Sequence, residues 1–220
     1  MKQLNIIPVL MMLVCGVRAP EVVAQEASIR FVLETGSRLW LTGATTMGDY
    51  ECTAAHVEGR GRIHTDSISS VVSSGANSTT SEVRVSVNVR SLDCGNSLMN
   101  DDLFAAMKAD SSPAIVYTLL SSEVIADSVA VDSVRTLNNI GQLTIAGVTQ
   151  VVRIRVTIRR LSSTRYRILG SKSLSMHDFG ITPPSALWGL IKADDTLVVN
   201  FDLIAIDATT AGHVNKTSRD

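Results

Sequence analysis

Residues 141–160, GQLTIAGVTQVVRIRVTIRR, place the tightest constraint on the fold. Leu143 and Ile145 alternate with Gln142, Thr144 and Ala146, and then Val152, Ile154, Val156 and Ile158 alternate with Arg153, Arg155, Thr157 and Arg159. A side-chain period of two sends the aliphatic set to one face and the polar set to the other, as in antiparallel strands with one dry and one wet side. Gly147 can take positive φ, so a tight connection at 147–150 predicts two strands laid antiparallel. At about 3.3 Å per residue the second run reaches roughly 30 Å, the height of a barrel or curved sandwich. A hairpin of that length needs a sheet to bury its aliphatic face.

The rest of the chain supplies one. Ile29, Phe31 and Leu33 alternate with Arg30 and Glu34, and after Thr35-Gly36 a second strand is predicted over 37–46. Gly48-Asp49 marks a bend before an extended run at 50–63, and the serine-rich stretch 65–81 has the weakest pattern. In 82–92, Val83, Val85, Val87 and Val89 face one way and Arg84, Ser86, Asn88 and Arg90 the other. After Asp93-Cys94-Gly95 the period changes. Asn100 is the predicted N-cap of a short helix, with Asp101 and Asp102 in its first turn, Lys108 in its last, and Leu103, Phe104 and Met107 on its apolar face. It should lie across one end of the sheet and stop before Pro113.

Residues 114–120, 123–134, 166–176 and 196–206 give the remaining strands, the last with Val199, Phe201 and Leu203 set against Asn200 and Asp202. Between the final two, residues 178–195 carry Pro183-Pro184 and an apolar turn with Leu187, Trp188 and Leu190, which reads as a lid or plug. About ten short strands, one small helix and no long crossover helix predict an all-β antiparallel protein that closes on itself.

Residues 1–24 have the three parts of a secretory signal: Lys2, an apolar run from Leu4 to Val17, and Val22-Val23-Ala24 before the expected cleavage site. Cys15 raises a lipoprotein alternative, which Val14 in place of a small residue disfavours. Cleavage removes Lys2, Arg18 and Glu21 and moves the formal charge from −1 to −2, a balance that implies neither nucleic acid nor an anionic membrane surface. No later apolar run approaches the roughly 20 residues of a spanning helix, so stable membrane insertion is not expected. The domain organisation is a signal at 1–24, one β-domain at 25–206, and a polar, disordered tail at 207–220.

Export places Cys52 and Cys94 in an oxidising compartment and makes them a candidate disulfide, with two buried free thiols as the alternative. Each follows an alternating run, so both can lie near a rim where chain ends gather. His56, His64, His177 and His213 have no ligand spacing, and neither a metal nor a cofactor is expected. Ser175, His177 and Asp178 invite a hydrolase reading, but neighbours in a strand point to opposite faces and no G-x-S-x-G elbow is present, so Asp178 is expected to cap the turn toward Pro183-Pro184. Arg153, Arg155 and Arg159 form a basic stripe expected on the solvated face.

Gly141-Gln142-Leu143-Thr144-Ile145-Ala146-Gly147-Val148-Thr149 resembles the G-x-L-T-I-x-G-x-T of YceI-like proteins, and Asp178-Phe179-Gly180-Ile181 resembles their D-F-G-I. Residues 91–99, the helix and Pro113 follow in that family's order. The resemblance implies a lipocalin-like barrel of about eight strands, secreted or periplasmic, whose lumen holds an isoprenoid-type lipid such as a quinone. Met176-His177 departs from the basic or hydroxyl residues that many members carry before the Asp-Phe-Gly.

Periodicity cannot tell a lined lumen from a filled core, and a low aromatic content with many Val, Ile and Ser residues tilts the reading toward a cavity. The residues expected at a lumen or its mouth are Val85, Val87 and Val89 on the valine strand, and Phe104 and Met107 on the helix. Leu143, Ile145, Val152, Ile154, Val156 and Ile158 join them from the long hairpin, Phe179 and Trp188 from the lid, and Val199, Phe201 and Leu203 from the last strand. The expected function is a binding protein for a long apolar lipid, not an enzyme, with an empty-barrel protein acting through its outer surface as the alternative. The oligomeric state stays open.

Overall fold

A computed structural model describes residues 28–64, 82–128, 134–186 and 190–208. The proposed signal at 1–24, the serine-rich stretch 65–81, Trp188 of the lid and the tail from 209 onward lie outside the described residues. In chain order the elements are β1 (Ser28–Leu33), β2 (Arg38–Thr45), β3 (Gly48–Ala54), β4 (Glu58–His64), β5 (Glu82–Asn88), β6 (Leu92–Asp93), α1 (Ser97–Ala106) and β7 (Ala114–Ser128). They continue with β8 (Val134–Ile145), β9 (Val148–Arg160), β10 (Arg165–Ser175), β11 (Ser185–Ala186) and β12 (Ile191–Asp207). Among the described residues no helix is long and apolar enough to cross a membrane.

Eight strands close a barrel. The order is β1–β4–β5–β7–β8–β9–β10–β12, every pair is antiparallel, and β12 returns to β1 through Phe31↔Asp207 and Leu33↔Ala205. Asp207 therefore belongs to the last strand and not to the tail. The earlier part of β12 pairs instead with β2, which leads through β3 to the short β6. The run expected at 50–63 is thus two strands, β3 and β4, that serve different parts of the wall.

The β8–β9 hairpin is tighter than the expected connection at 147–150. Ala146 (φ 51°) and Gly147 (φ 83°) form a two-residue turn with both φ values positive, so β9 begins at Val148 opposite Ile145. This is the turn geometry whose twist matches that of the flanking strands. Gln142↔Val151 and Ile154↔Asn139 fix the register, and Arg153, Arg155 and Arg159 are exposed on the outer face.

Three elements differ from the sequence reading. The helix begins one turn early: Asn96, in extended backbone, accepts from the Leu98 and Met99 N–H groups and is the N-cap. Asn100 lies inside the helix and uses its amide to bind the Cys94 N–H and Asp93. The valine strand stops at Asn88, whose side chain caps a 3₁₀ turn at Val89–Ser91 by accepting from the Arg90 N–H. Residues 114–120 and 123–128 of two expected strands belong to one strand, β7, whose register against β8 shifts between Leu119 and Ser121 and again between Val124 and Ala126, while Val134 begins β8. An extra residue at such a bulge breaks strict alternation, which is why the pattern there looks interrupted.

The two ends of the barrel receive different connections. One end takes the β5–β7 connection with α1, the β8–β9 turn and the β10–β12 connection with its 3₁₀ turn at His177–Phe179. Most of the fully packed core gathers there, including Leu41, Cys52, Val89, Leu92, Leu174 and Phe179. Cys52 of β3 and Cys94 before α1 are joined as a disulfide, which ties the helix-bearing connection to the wall.

Candidate functional site

The barrel holds a cavity of about 1090 Å³ lined mainly by aliphatic and aromatic side chains, with Arg60, Asp102, Arg135, Arg160 and Lys172 also on its border. Of the residues singled out in the sequence, Val85 and Val87 of β5, Leu143 and Ile145 of β8, and Ile154, Val156 and Ile158 of β9 line it. Val199, Phe201 and Leu203 of β12 do so as well, and Met107 and Phe179 meet it from the capped end.

Three expected positions do not. Val89 has left the strand for the 3₁₀ turn and is fully buried in packed core. Val152 stands opposite Gly141, under the packed end of the hairpin, and is 8 % exposed without reaching the cavity. Phe104 packs partly buried against the core without reaching the cavity, and the Arg90 guanidinium lies 5.4 Å from its ring centroid. Strand alternation places a side chain only as long as the strand continues, and helical period leaves the direction of the apolar face to packing.

Four glycines explain how the lumen stays open. A Cβ built on Gly43 would fall 2.4 Å from the Tyr50 side chain, on Gly141 2.4 Å from the Tyr117 ring, on Gly170 2.4 Å from the Phe201 ring, and on Gly59 2.5 Å from Leu33. Gly43 is paired directly with Tyr50 and Gly170 with Phe201. Each ring therefore lies along the wall over a residue without a side chain and does not project across the lumen, a cross-strand use of glycine that keeps the aromatic contact. The sequence signal is present but non-local: none of these glycines neighbours its ring in the chain.

Polar groups are a minority of the lumen wall, and three sets of them have defined surroundings. Burial pushes the Tyr117 phenol up to about 12, and its hydroxyl is the one buried side-chain oxygen or nitrogen without a hydrogen-bond partner among the described residues. The Tyr50 phenol is also raised, by burial and then by Asp194, so both phenols stay neutral donors at physiological pH. On β7 and β8, Ser122 Oγ donates to Asn139 Oδ1 at 2.6 Å, and both side chains line the cavity. The sequence analysis passed over Ser122 because the bulge after Leu119 hides which residues of β7 face inward, and over Asn139 because the long hairpin was taken to begin only at Gly141.

The Ser175–His177 region is organised around Asp195 and not Asp178. Asp195 accepts from Ser175 Oγ and from the His177 N–H, and pairs with His177 Nδ1. Ser175 and His177 thus contact opposite oxygens of one carboxylate, and the serine–imidazole contact that would activate a nucleophile is not made. The Ser175 hydrogen bond, then the His177 N–H, hold the Asp195 carboxyl below the usual carboxylate range. Asp178 has no capping bond of its own; its carbonyl accepts from Gln150 Nε2, fastening the turn to β9. Among the described residues no three His, Cys, Asp or Glu side chains gather as metal ligands.

A closed eight-stranded antiparallel barrel with an apolar lumen and one capped end is lipocalin-like in architecture. A YceI-like domain model matches residues 22–205, and the chain belongs to that family. A solved polyisoprenoid-binding domain from Saccharophagus degradans, implicated in plant cell wall breakdown, is 16 % identical with a TM-score of 0.60, covering 80 % of this chain and 98 % of that one. The structure of BcnA from Burkholderia cenocepacia is 14 % identical with a TM-score of 0.57, covering 78 % of this chain and 98 % of its own. At these identities the likeness is one of fold. No curated protein matches.

Proposed function

We propose that the protein is an exported binding protein that holds a long isoprenoid-type lipid in the barrel lumen, for transport or storage in the periplasm or outside the cell. The observation that carries this reading is the cavity of about 1090 Å³ with its mainly aliphatic and aromatic lining. Such a space favours a ligand that is mostly hydrocarbon, because each CH₂ transferred from water into it contributes about 0.8 kcal/mol. Family membership supports the reading, and the Saccharophagus degradans relative is itself a polyisoprenoid-binding domain. Export rests on the signal-like residues 1–24. The role assigned to the residues of the site is to exclude water and shape the lumen, with no catalytic part.

Organic extraction of the purified protein followed by mass spectrometry tests the proposal. A stoichiometric isoprenoid-type lipid, a quinone included, is the expected result. Protein that yields no lipid and, after delipidation, takes up no polyprenol would overturn it.

A further inference from the structure

We propose that the Ser122–Asn139 pair is a hydrogen-bonding station inside the lumen that selects lipids bearing an acceptor oxygen, such as an ether or carbonyl, over pure hydrocarbons. The inference rests on the lipid-binding reading and sharpens it to a class of ligand.

The argument begins with β7. Up to Leu119 its odd-numbered residues face the lumen, with Ile115, Tyr117 and Leu119 all on the cavity wall. Unbroken alternation would bring Ser121 and Glu123 inward next. The register shift between Leu119 and Ser121 changes the parity, so that Ser122 and Val124 line the cavity and Glu123 is exposed, while Leu120 stays on the outside as alternation alone would place it. Bulges commonly serve to re-aim a side chain beside a functional site. Here the bulge delivers Ser122 directly opposite Asn139 on the lumen face.

The consequence is chemical. An asparagine has one acceptor oxygen and two N–H donors. Ser122 Oγ donates to Asn139 Oδ1, which fixes the amide orientation, and the Asn139 Nδ2 donors have no acceptor among the described residues. Both side chains are half-buried and border the cavity, flanked along β8 by Leu137 and Gly141 and across the sheet by Ile154. The Tyr117 ring lies over Gly141, so its partnerless hydroxyl belongs to the same stretch of wall. The amide donors face the lumen, with Arg135 beyond Leu137 on the same face of β8, and they discriminate in favour of a ligand that offers them an acceptor.

The test compares two probes of equal chain length on delipidated protein: geranylgeranyl methyl ether, whose oxygen accepts but does not donate, and the corresponding C20 hydrocarbon. The wild type is expected to bind the ether about tenfold more tightly, the size of one net hydrogen bond. Asn139→Leu should erase that preference by weakening the ether alone, with the hydrocarbon held as before. Ser122→Ala, which frees the amide to turn, should reduce the preference and leave the thermal melt close to wild type. Equal binding of both probes by the wild type, or an unchanged preference in Asn139→Leu, overturns the station and leaves the lipid-binding lumen standing. Failure of the wild type to bind either probe overturns both.

Discussion

The same alternating strands build two unlike halves of one barrel. At the capped end Val87, Leu143, Ile145 and Leu174 meet the floor of the cavity but are packed to under a tenth of their free exposure. Further along the same strands Val85, Leu137 and Ile168 are only half-buried and border the cavity, as does Ile154 on β9. Nothing in the strand pattern separates the two sets. The difference comes from what folds over the end: α1, the Cys52–Cys94 link, and the turn that inserts Phe179, which is 2 % exposed. Several wall residues become tightly packed where another element meets them, though Val156 and Leu203 are as deeply buried away from the cap.

Substitutions in the two halves should therefore differ in kind. Phe179→Ala removes the largest fully buried side chain and is expected to destabilise by about 3–5 kcal/mol in urea unfolding. Ile158→Ala on the lumen wall should cost no more than about 1–2 kcal/mol, because its side chain faces space that is already open. Equal losses would mean that the lumen is packed like the capped end.

Loss of the disulfide comes next. Its partners are 42 residues apart, and closing a loop of that size contributes at most about 4 kcal/mol by the chain-entropy estimate. Reduction, or Cys52→Ser with Cys94→Ser, should lower the melting temperature, and hydrogen exchange should rise first in α1 and its neighbours while the β8–β9 amides stay protected. Uniform loss of protection would show that the cap and the wall unfold as one unit.

Gly141→Val sharpens the comparison from the lumen side. Its new side chain meets the Tyr117 ring and must push that ring into the cavity. A destabilisation of about 1–3 kcal/mol is expected, together with reduced lipid capacity in extraction assays. Retained capacity would mean that the ring finds room elsewhere.

The smallest effect is electrostatic. Asp195 has a folded-state pKa below its ordinary value, so its contribution is present above the unfolded pKa and is lost as pH falls through the folded one. Acid titration should loosen the His177–Phe179 turn below about pH 4, the carboxylate range, with strand signals unchanged. Asp195→Asn should remove that step from a pH series of the melting temperature; a step of the same size in the variant would assign it to other carboxylates.

Much of the fold is legible in individual stretches. The β8–β9 pair and β5 could be read because each is long, unbroken in alternation and bounded by a turn signal. The disulfide partners could be named because only two cysteines remain after the signal-like segment. The sequence missed β7 as one strand, because the bulges near Leu120 and Ile125 break the period that reveals a strand. It misplaced the helix start because Asn96 and Asn100 are chemically equivalent candidates, and only the backbone before Ser97 distinguishes the cap.

By itself the sequence determined an antiparallel β-protein, the face of each regular strand that is apolar, and a tight hairpin connection using Gly147. These follow from local sterics and from a side-chain period that each segment carries alone. Only the tertiary structure decided which strands are neighbours, that the ring closes through β1 and β12, and that Tyr50, Tyr117 and Phe201 lie flat over glycines remote in sequence. It alone also brought Ser122 opposite Asn139. Whether an inward-facing side chain is packed or borders a cavity depends on atoms contributed by other segments, and that information is not contained in the period of any one strand.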